Sequence, residues 1–423
     1  MIDLPKSWRT KKLKYLFKYS LSSVDRHVYD EELSVHICHY PDVYYNDKID
    51  SVKSLPTGTC TPDELEKFQV LSGDILITKD SESPEDIGVP CLISTRLKNT
   101  VCGYHLGIIR HQSEMDTEYV FRFLQTDYAK GYFYCESSGV TRFGVGKPSV
   151  ENLELPIPPL EEQRLISHYL GKKTEQIDIL IKKMSKKIEL LKEKRISLIG
   201  QCVTKGLDPH VQMKDSGVEW IGKMPNSWRL IRGRFLFEFK KEINTGLKNE
   251  NLLSLTLFGV LNKEYYSSEG LRPETYSTYQ IFSKNDLVFK MIDLENVNTS
   301  RVGLVHETGI MSPVYIRHEP KTDKIDPRFS YWFYFDLYKK EIYNSIGSGV
   351  RSALKSSDLL ELRVPVPTLK EQKIISRHLD KKTGQIDILI EKIQKKNSLL
   401  SEYRQSLISS VVTGKVRVTE KMI

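Results

Sequence analysis

Thr174–Ile181 reads TEQIDILI and Thr383–Ile390 reads TGQIDILI, so seven of eight letters return 209 positions later. The repeat extends outward from there. LELPIPPLEEQRLISHYLGKKTEQIDILI (Leu153–Ile181) matches LELRVPVPTLKEQKIISRHLDKKTGQIDILI (Leu360–Ile390), and the stretches downstream end alike, in VTKG and VTGK. A second match opens each unit: LPKSWRTKKLKYLF (Leu4–Phe17) against MPNSWRLIRGRFLF (Met224–Phe237), at an offset of 220. The offset shrinks from 220 to 209, which makes the first variable segment about 11 residues longer than the second. The chain is therefore a doubled unit, each copy a variable globular part followed by a repeated arm.

The arms read as long helices. Pro158 and Pro159 precede LEEQ, and Pro367 precedes Thr368, whose side chain can cap a helix with Glu371 three residues on as a capping box. Beyond those starts apolar residues alternate at spacings of 3 and 4: Ile166, Leu170, Ile177, Ile181, Met184, Ile188, Leu191 and Leu198. The second copy gives Ile375, Leu379, Ile386, Ile390, Ile393, Leu400 and Leu407, with polar Asn397 in place of Ile188. That is a heptad seam, flanked by Lys, Glu and Arg. An arm of about 40 residues at 1.5 Å each is a rod of roughly 60 Å. Gly171 and Gly384 lie inside the pattern and mark places for a local kink. A seam this long needs a partner, and the stripe of matching length is the other arm. The periodicity is silent on whether the two run parallel or antiparallel.

The expected layout is a globular domain over 1–157, an arm over 158–204, a linker over 205–223, a second domain over 224–366 and a second arm over 367–415. The linker is punctuated by Gly206, Pro209, Gly217 and Gly222. In the variable parts GDILIT (Gly73–Thr78) and NDLVFK (Asn285–Lys290) read as strands entered through a turn, each followed by a polar loop and another strand, GVPCLI (Gly88–Ile93) or GLVHE (Gly303–Glu307). EYVFRFLQTDYAK (Glu118–Lys130) and SYWFYFDLYKKEI (Ser330–Ile342) read as aromatic-rich helices. Trp8 and Trp228 read as plugs of their domain cores. The fold class expected is α+β: two mixed α/β domains joined by two long helices.

Near the end of each variable part comes a polar, basic loop, SGVTRFGVGKPS (Ser138–Ser149) and SGVRSALKSSD (Ser348–Asp358). Glycine permits close backbone approach, Arg can fork onto a phosphate or a guanine edge, and Lys offers a mobile positive charge. The DNA-contact candidates are Arg142, Lys147, Ser149 and Lys79 in the first unit, and Arg351, Lys355, Ser356 and Lys290 in the second. Other site motifs fail on inspection. GVGKPS would need Gly at Thr141 and a hydroxyl at Pro148 to be a phosphate loop. In HICH (His36–His39), His36 and Cys38 share a strand face while His39 points away. LPIPP (Leu155–Pro159) lacks the Asn or Asp and the aromatic with which an amino-methyltransferase holds a flipped base. No catalytic, cofactor-binding or metal-binding residue is assigned.

Bulk properties agree with this picture. The 423 residues, 39% of them hydrophobic, suffice for two to four folding units, and a formal charge of +8 permits an anionic partner. No run is apolar enough for a membrane helix and the amino-terminal stretch lacks a secretory core, so a cytoplasmic location is expected. The six cysteines show no CxxC spacing and read as free thiols.

PxPPLxEQ leading into a long helix twice, a Pro-x-x-Trp start in each unit and DSGVEWIG (Asp215–Gly222) before the second resemble the DNA-specificity subunit of type I restriction-modification enzymes. Thr368 replaces the second proline of PxPP in the second arm, which leaves the helix start intact. The resemblance implies that the variable parts are target-recognition domains and the arms spacers that dock methyltransferase subunits. It further implies a chain without chemistry of its own, whose partners are double-stranded DNA, two copies of a methyltransferase subunit using S-adenosylmethionine, and restriction and motor subunits. Two unlike domains held apart on a bipartite, asymmetric target call for antiparallel arms. The competing readings are a self-sufficient methyltransferase or nuclease, and a coiled-coil scaffold for proteins only.

Overall fold

The computed structural model describes every residue except 1–4, 258, 264–274, 293, 295–299 and 347–352. They fall into two compact units, Met1–Ser185 with Lys395–Ile423, and Lys186–Gln394. The arms are uninterrupted helices, Leu160–Lys205 and Leu369–Val412, and neither Gly171 nor Gly384 breaks them. Each arm helix thus belongs partly to one unit and partly to the other, a division that differs from the layout expected of separate domains and arms.

In the first unit a five-stranded sheet has the order Phe17–Leu21, Leu106–His111, Ile75–Thr78, Pro90–Ile93, Lys48–Ile49, antiparallel except for its last pair. In the second unit the strands Phe237–Phe239, Ile316–Pro320, Leu287–Phe289 and Val302–Leu304 follow the same order. The third strand of each is entered through a left-handed residue, Gly73 at φ 91° and Asn285 at φ 75°, types that tolerate that conformation. Directly after it stands an acid, Asp74 or Asp286, whose carboxylate accepts from the backbone N–H three residues back, Leu71 at 2.7 Å or Ser283 at 2.6 Å. EYVFRFLQTDYAK is two helices, Thr117–Leu124 and Asp127–Glu136. Thr126 between them is extended and accepts from the Ala129 N–H, and this cap restarts the helix. SYWFYFDLYKKEI lies largely in one helix, Pro327–Lys339.

The repeated letters explain themselves as attachments between arm and domain. Trp8 Nε1 donates to Glu162 Oε2 at 3.1 Å, and Trp228 Nε1 to Glu371 Oε1 at 3.1 Å. The next residue, Gln163 or Gln372, accepts from the Asp116 N–H at 3.1 Å or the Asp326 N–H at 2.7 Å, and its amide donates back to Pro158 or Pro367. Thr368 Oγ1 does accept from the Glu371 N–H at 3.3 Å, but the Glu371 carboxylate is taken by the tryptophan, so only half of a capping box forms. Gly206 and Gly414, left-handed at φ 77° and 74°, close the arms under the same tryptophans. A Cβ on Gly414 would stand 2.5 Å from Pro5 Cγ, and one on Gly206 would stand 3.2 Å from the Trp228 ring.

Arm direction follows from pairs inside each unit. In the first unit Asn397 Nδ2 donates to Ser185 Oγ at 3.3 Å and Arg404 Nε lies 2.9 Å from Asp178 Oδ1, so one heptad down the first arm is one heptad up the second. The helices are antiparallel. In the second unit Arg195 Nε lies 2.9 Å from Asp387 Oδ1. Asp387 stands 209 positions after Asp178, and Arg404 stands 209 after Arg195, so one repeat-related contact is made in each unit. Ile177, Ile181, Met184, Ile188 and Leu191 are buried or half-buried, as are Ile386, Ile390, Ile393, Asn397 and Leu400, while the residues between them are exposed. Polar Asn397 on such a seam favours the register in which it meets Ser185.

The 205–223 stretch is folded rather than a plain linker. Met213–Asp215 pairs with Lys223–Pro225 around left-handed Gly217 and Gly222, and Ile221 is buried in the core of the second unit.

Candidate nucleic-acid interface

The basic loop of the first unit is built onto the strand that follows GDILIT. Asp80–Ser81 pairs with Phe143–Gly144, which pairs in turn with Ser138–Gly139. Gly139 is obligatory there, since at φ 147° a Cβ would sit 1.9 Å from the Arg142 carbonyl oxygen. The Lys79 backbone joins this patch to a third segment, donating N–H to the His105 carbonyl at 3.1 Å and accepting from the Val145 N–H at 2.9 Å. Residues 79–81, 105 and 143–145 therefore form one backbone-knit surface.

Its side chains converge on Asp80. Arg142 donates from Nε at 3.0 Å and Nη2 at 2.6 Å to Asp80 Oδ1, while its side chain stays 54% exposed. His105 Nδ1 lies 2.7 Å from the same oxygen. Beside them opens a concavity of about 480 Å³, lined among others by Arg26, His39, Tyr40, Tyr104 and His105. The exposed Tyr104 ring stands edge-on to His105 and carries Lys79 Nζ 4.2 Å above its centroid. Tyr40 donates its hydroxyl to Ser81 at 3.2 Å and stacks on Tyr44. Arginine beside aromatic rings and short polar side chains suits the edges and phosphates of nucleic acid.

The candidate residues do not all point the same way. Lys79 donates to the Ser22 carbonyl at 3.3 Å, and burial pulls its ammonium below the usual lysine range. It is a supporting group of the patch. Lys147 opens the helix Lys147–Asn152, exposed and 3.6 Å from Glu151, whereas Ser149 is half-covered, its carbonyl accepting from the Tyr132 hydroxyl.

In the second unit the equivalent helix is Ser356–Glu361. Lys355 is exposed and precedes it, its backbone N–H donating to Asp358 Oδ2 at 2.7 Å. The two lysines are thus one position out of register in structural terms. Ser356 Oγ lies 2.9 Å from Nε2 of His318, a histidine that burial pushes down to about 3 and so holds neutral. Lys290 is half-buried, its backbone N–H bonded to the Arg301 carbonyl. Arg351 lies outside the described residues.

Asp80, His105, Tyr104 and Tyr40 are absent from the candidates drawn from sequence. Asp80 sits in the acidic run KDSESPED, which reads as repelling a polyanion until its partner is seen to be Arg142. GYH (Gly103–His105) carries no motif at all. Among the described residues no three His, Cys, Asp or Glu side chains are grouped to hold a metal, and no helix is long and apolar enough to cross a membrane.

Comparison with known proteins bears on this arrangement. The family described as type I restriction modification DNA specificity domain matches residues 51–190 and 236–400, once over each repeat. Two curated proteins of Methanocaldococcus jannaschii resemble the chain over nearly its whole length. The putative type I restriction enzyme MjaX specificity subunit is 23% identical, over 98% of this chain and 95% of its own. The type I restriction enzyme MjaVIII specificity subunit is 24% identical, over 99% and 95%. A chain solved in work on complex assembly and conformational transition of the type I R-M system shares the fold at a TM-score of 0.70 and 14% identity, covering 98% of this chain and 100% of that one. The HsdS subunit from Thermoanaerobacter tengcongensis superposes at 0.51 with 15% identity, covering 98% of both.

Proposed function

Because the chain belongs to the type I restriction-modification DNA specificity family, we propose that it reads a bipartite, asymmetric DNA target, one half-site per unit, and docks methyltransferase subunits through its arms. The observation that carries this reading is the doubled contact of the arms. Asp178 with Arg404 and Asp387 with Arg195 repeat one pairing in two units whose variable segments share little sequence. Like surfaces take like partners, so two copies of one methyltransferase subunit bind, and unlike domains read unlike bases. The chain itself supplies recognition, with no catalytic group assigned to it. S-adenosylmethionine belongs to the methyltransferase, which methylates adenine, and cleavage of unmethylated DNA belongs to restriction and motor subunits. The assembly works in the cytoplasm. Exposed Arg and Lys side chains give salt-dependent phosphate affinity, and a few polar side chains read base edges.

The test is a selection of randomised duplexes by the chain assembled with its methyltransferase subunits. Two half-sites of different sequence flanking an unread gap are expected. Arg142→Ala weakens selection of the first half-site and Arg351→Ala that of the second, each by about tenfold where a bidentate base contact is lost. A loss shared equally by target and scrambled DNA would make both residues phosphate contacts, and a wild-type assembly without any sequence preference overturns the proposal.

A further inference from the structure

We propose that Asp80, Arg142 and His105 form a reader of a single G·C pair in the first half-site, with Asp80 as the positioning residue for two base-contacting side chains. The inference rests on the proposed DNA-reading function and adds the base pair and the mechanism of its recognition.

Arg142 carries five donor hydrogens on three nitrogens. Its Nε and Nη2 both donate to Asp80 Oδ1, at 3.0 and 2.6 Å, so the side edge of the guanidinium is occupied. What remains is the end-on fork, both hydrogens of Nη1 and the outer hydrogen of Nη2. Two parallel N–H groups at that spacing match the O6 and N7 acceptors that guanine presents in the major groove. A free arginine samples many rotamers; one clamped by a carboxylate loses less freedom on binding.

His105 supplies the complementary polarity. At 2.7 Å from Asp80 Oδ1, Nδ1 carries the proton and donates it. The 2.9 Å approach of Arg142 Nη2 to that same Nδ1 is then packing of guanidinium against imidazole, since both nitrogens bear hydrogen. In this tautomer Nε2 holds the lone pair, on a ring that lines the concavity; Arg142 Nη2 lies 3.4 Å from it, a long contact that the base pair replaces on binding. An acceptor beside a double donor is the complement of a G·C pair, whose major-groove edge runs N7 acceptor, O6 acceptor, then the N4 amino donor of cytosine. An A·T pair presents acceptor, donor, acceptor and leaves two of the three protein groups facing their like. The scaffold holds the three side chains together, because Asp80 and Arg142 flank a paired strand segment and the His105 carbonyl is bonded to the Lys79 N–H.

The experiment is the randomised-duplex selection with the assembled complex, scored base by base, for wild type, Arg142→Lys, Asp80→Asn, Asp80→Glu and His105→Ala. Arg142→Lys keeps the charge and loses the fork, and Asp80→Asn leaves an accepting oxygen but strips the clamp of its charge without touching DNA. Both are expected to reduce preference for G·C at the same single position of the first half-site by about tenfold or more, with the second half-site profile unaltered. His105→Ala lowers preference at that position too, and Asp80→Glu, which can still clamp, restores part of it. An unfolded variant announces itself by loss at every position of the first half-site, and in that case Arg142→Lys and His105→Ala decide. An unchanged profile, or equal weakening on all duplexes, overturns the reader while wild-type bipartite selection leaves the proposed function standing.

Discussion

Arg317→Met is expected to destabilise the second unit by about 3–5 kcal/mol, the usual cost of stranding one member of a buried ion pair. Arg317 is 1% exposed, with Nε 2.6 Å from Asp286 Oδ2, Nη1 donating to the Ile281 carbonyl at 2.7 Å and Nη2 to Ser283 Oγ at 3.2 Å. Asp286 is as deeply buried, and burial already pushes its carboxyl up to about 6 despite the neighbouring guanidinium. Removing that guanidinium raises it further. A carboxyl whose folded value lies above its unfolded one favours the fold at low pH and loses that advantage as pH rises through the folded value. Arg317→Met should therefore be less damaging near pH 5 than at pH 8. The matching pair in the first unit, Arg110 on Asp74, has its arginine 30% exposed, so Arg110→Met leaves a carboxylate that water reaches and costs less. Adding Asp286→Leu to Arg317→Met should recover most of the loss. Urea titration followed by tryptophan fluorescence measures this, since Trp220, Trp228 and Trp332 all lie in the second unit. Equal costs for Arg110→Met and Arg317→Met would contradict the burial argument.

Lengthening both arms by one turn is expected to change the unread gap in the target while leaving each half-site intact. Four residues inserted between Ile188 and Glu189, with four more between Ile393 and Gln394, add roughly 6 Å at 1.5 Å per residue. At 3.4 Å per base pair that is one to two base pairs. The two insertion points face each other in the register that pairs Ser185 with Asn397 and Arg195 with Asp387, so both contacts survive the double insertion. Insertion into one arm alone shifts one contact against the other, and a less stable protein rather than a new spacing is expected. A doubly extended chain that still selects the original gap, or selects a different half-site, would show that the arms do not set the spacing.

The arms were legible because their sequence is governed by one periodicity over ten turns and written twice, which removes the ambiguity of a single amphipathic stripe. The turn before each central strand was legible for a similar reason: Gly73 and Asn285 are residue types for which a left-handed backbone is cheap. Direction was not, because a heptad seam is the same read from either end, and only specific pairs such as Arg404 with Asp178 break that symmetry. The Glu-Gln pair of each arm looked like helix-start chemistry and instead fastens the arm to a tryptophan and a backbone N–H far away in sequence. The split at Thr126 was hidden by apolar residues that continue past a cap. At the candidate interface a basic loop could be found by composition, but the acid that orients it could not. An aspartate reads as unfavourable to DNA until its arginine is known.

The most direct test of the whole account is the adenine methylome of the host with and without this chain. Loss of one mark, at two unlike half-sites separated by a constant unread gap, is the result expected of a subunit that supplies only specificity. A lost mark at a contiguous or palindromic sequence, or an unchanged methylome, would contradict it.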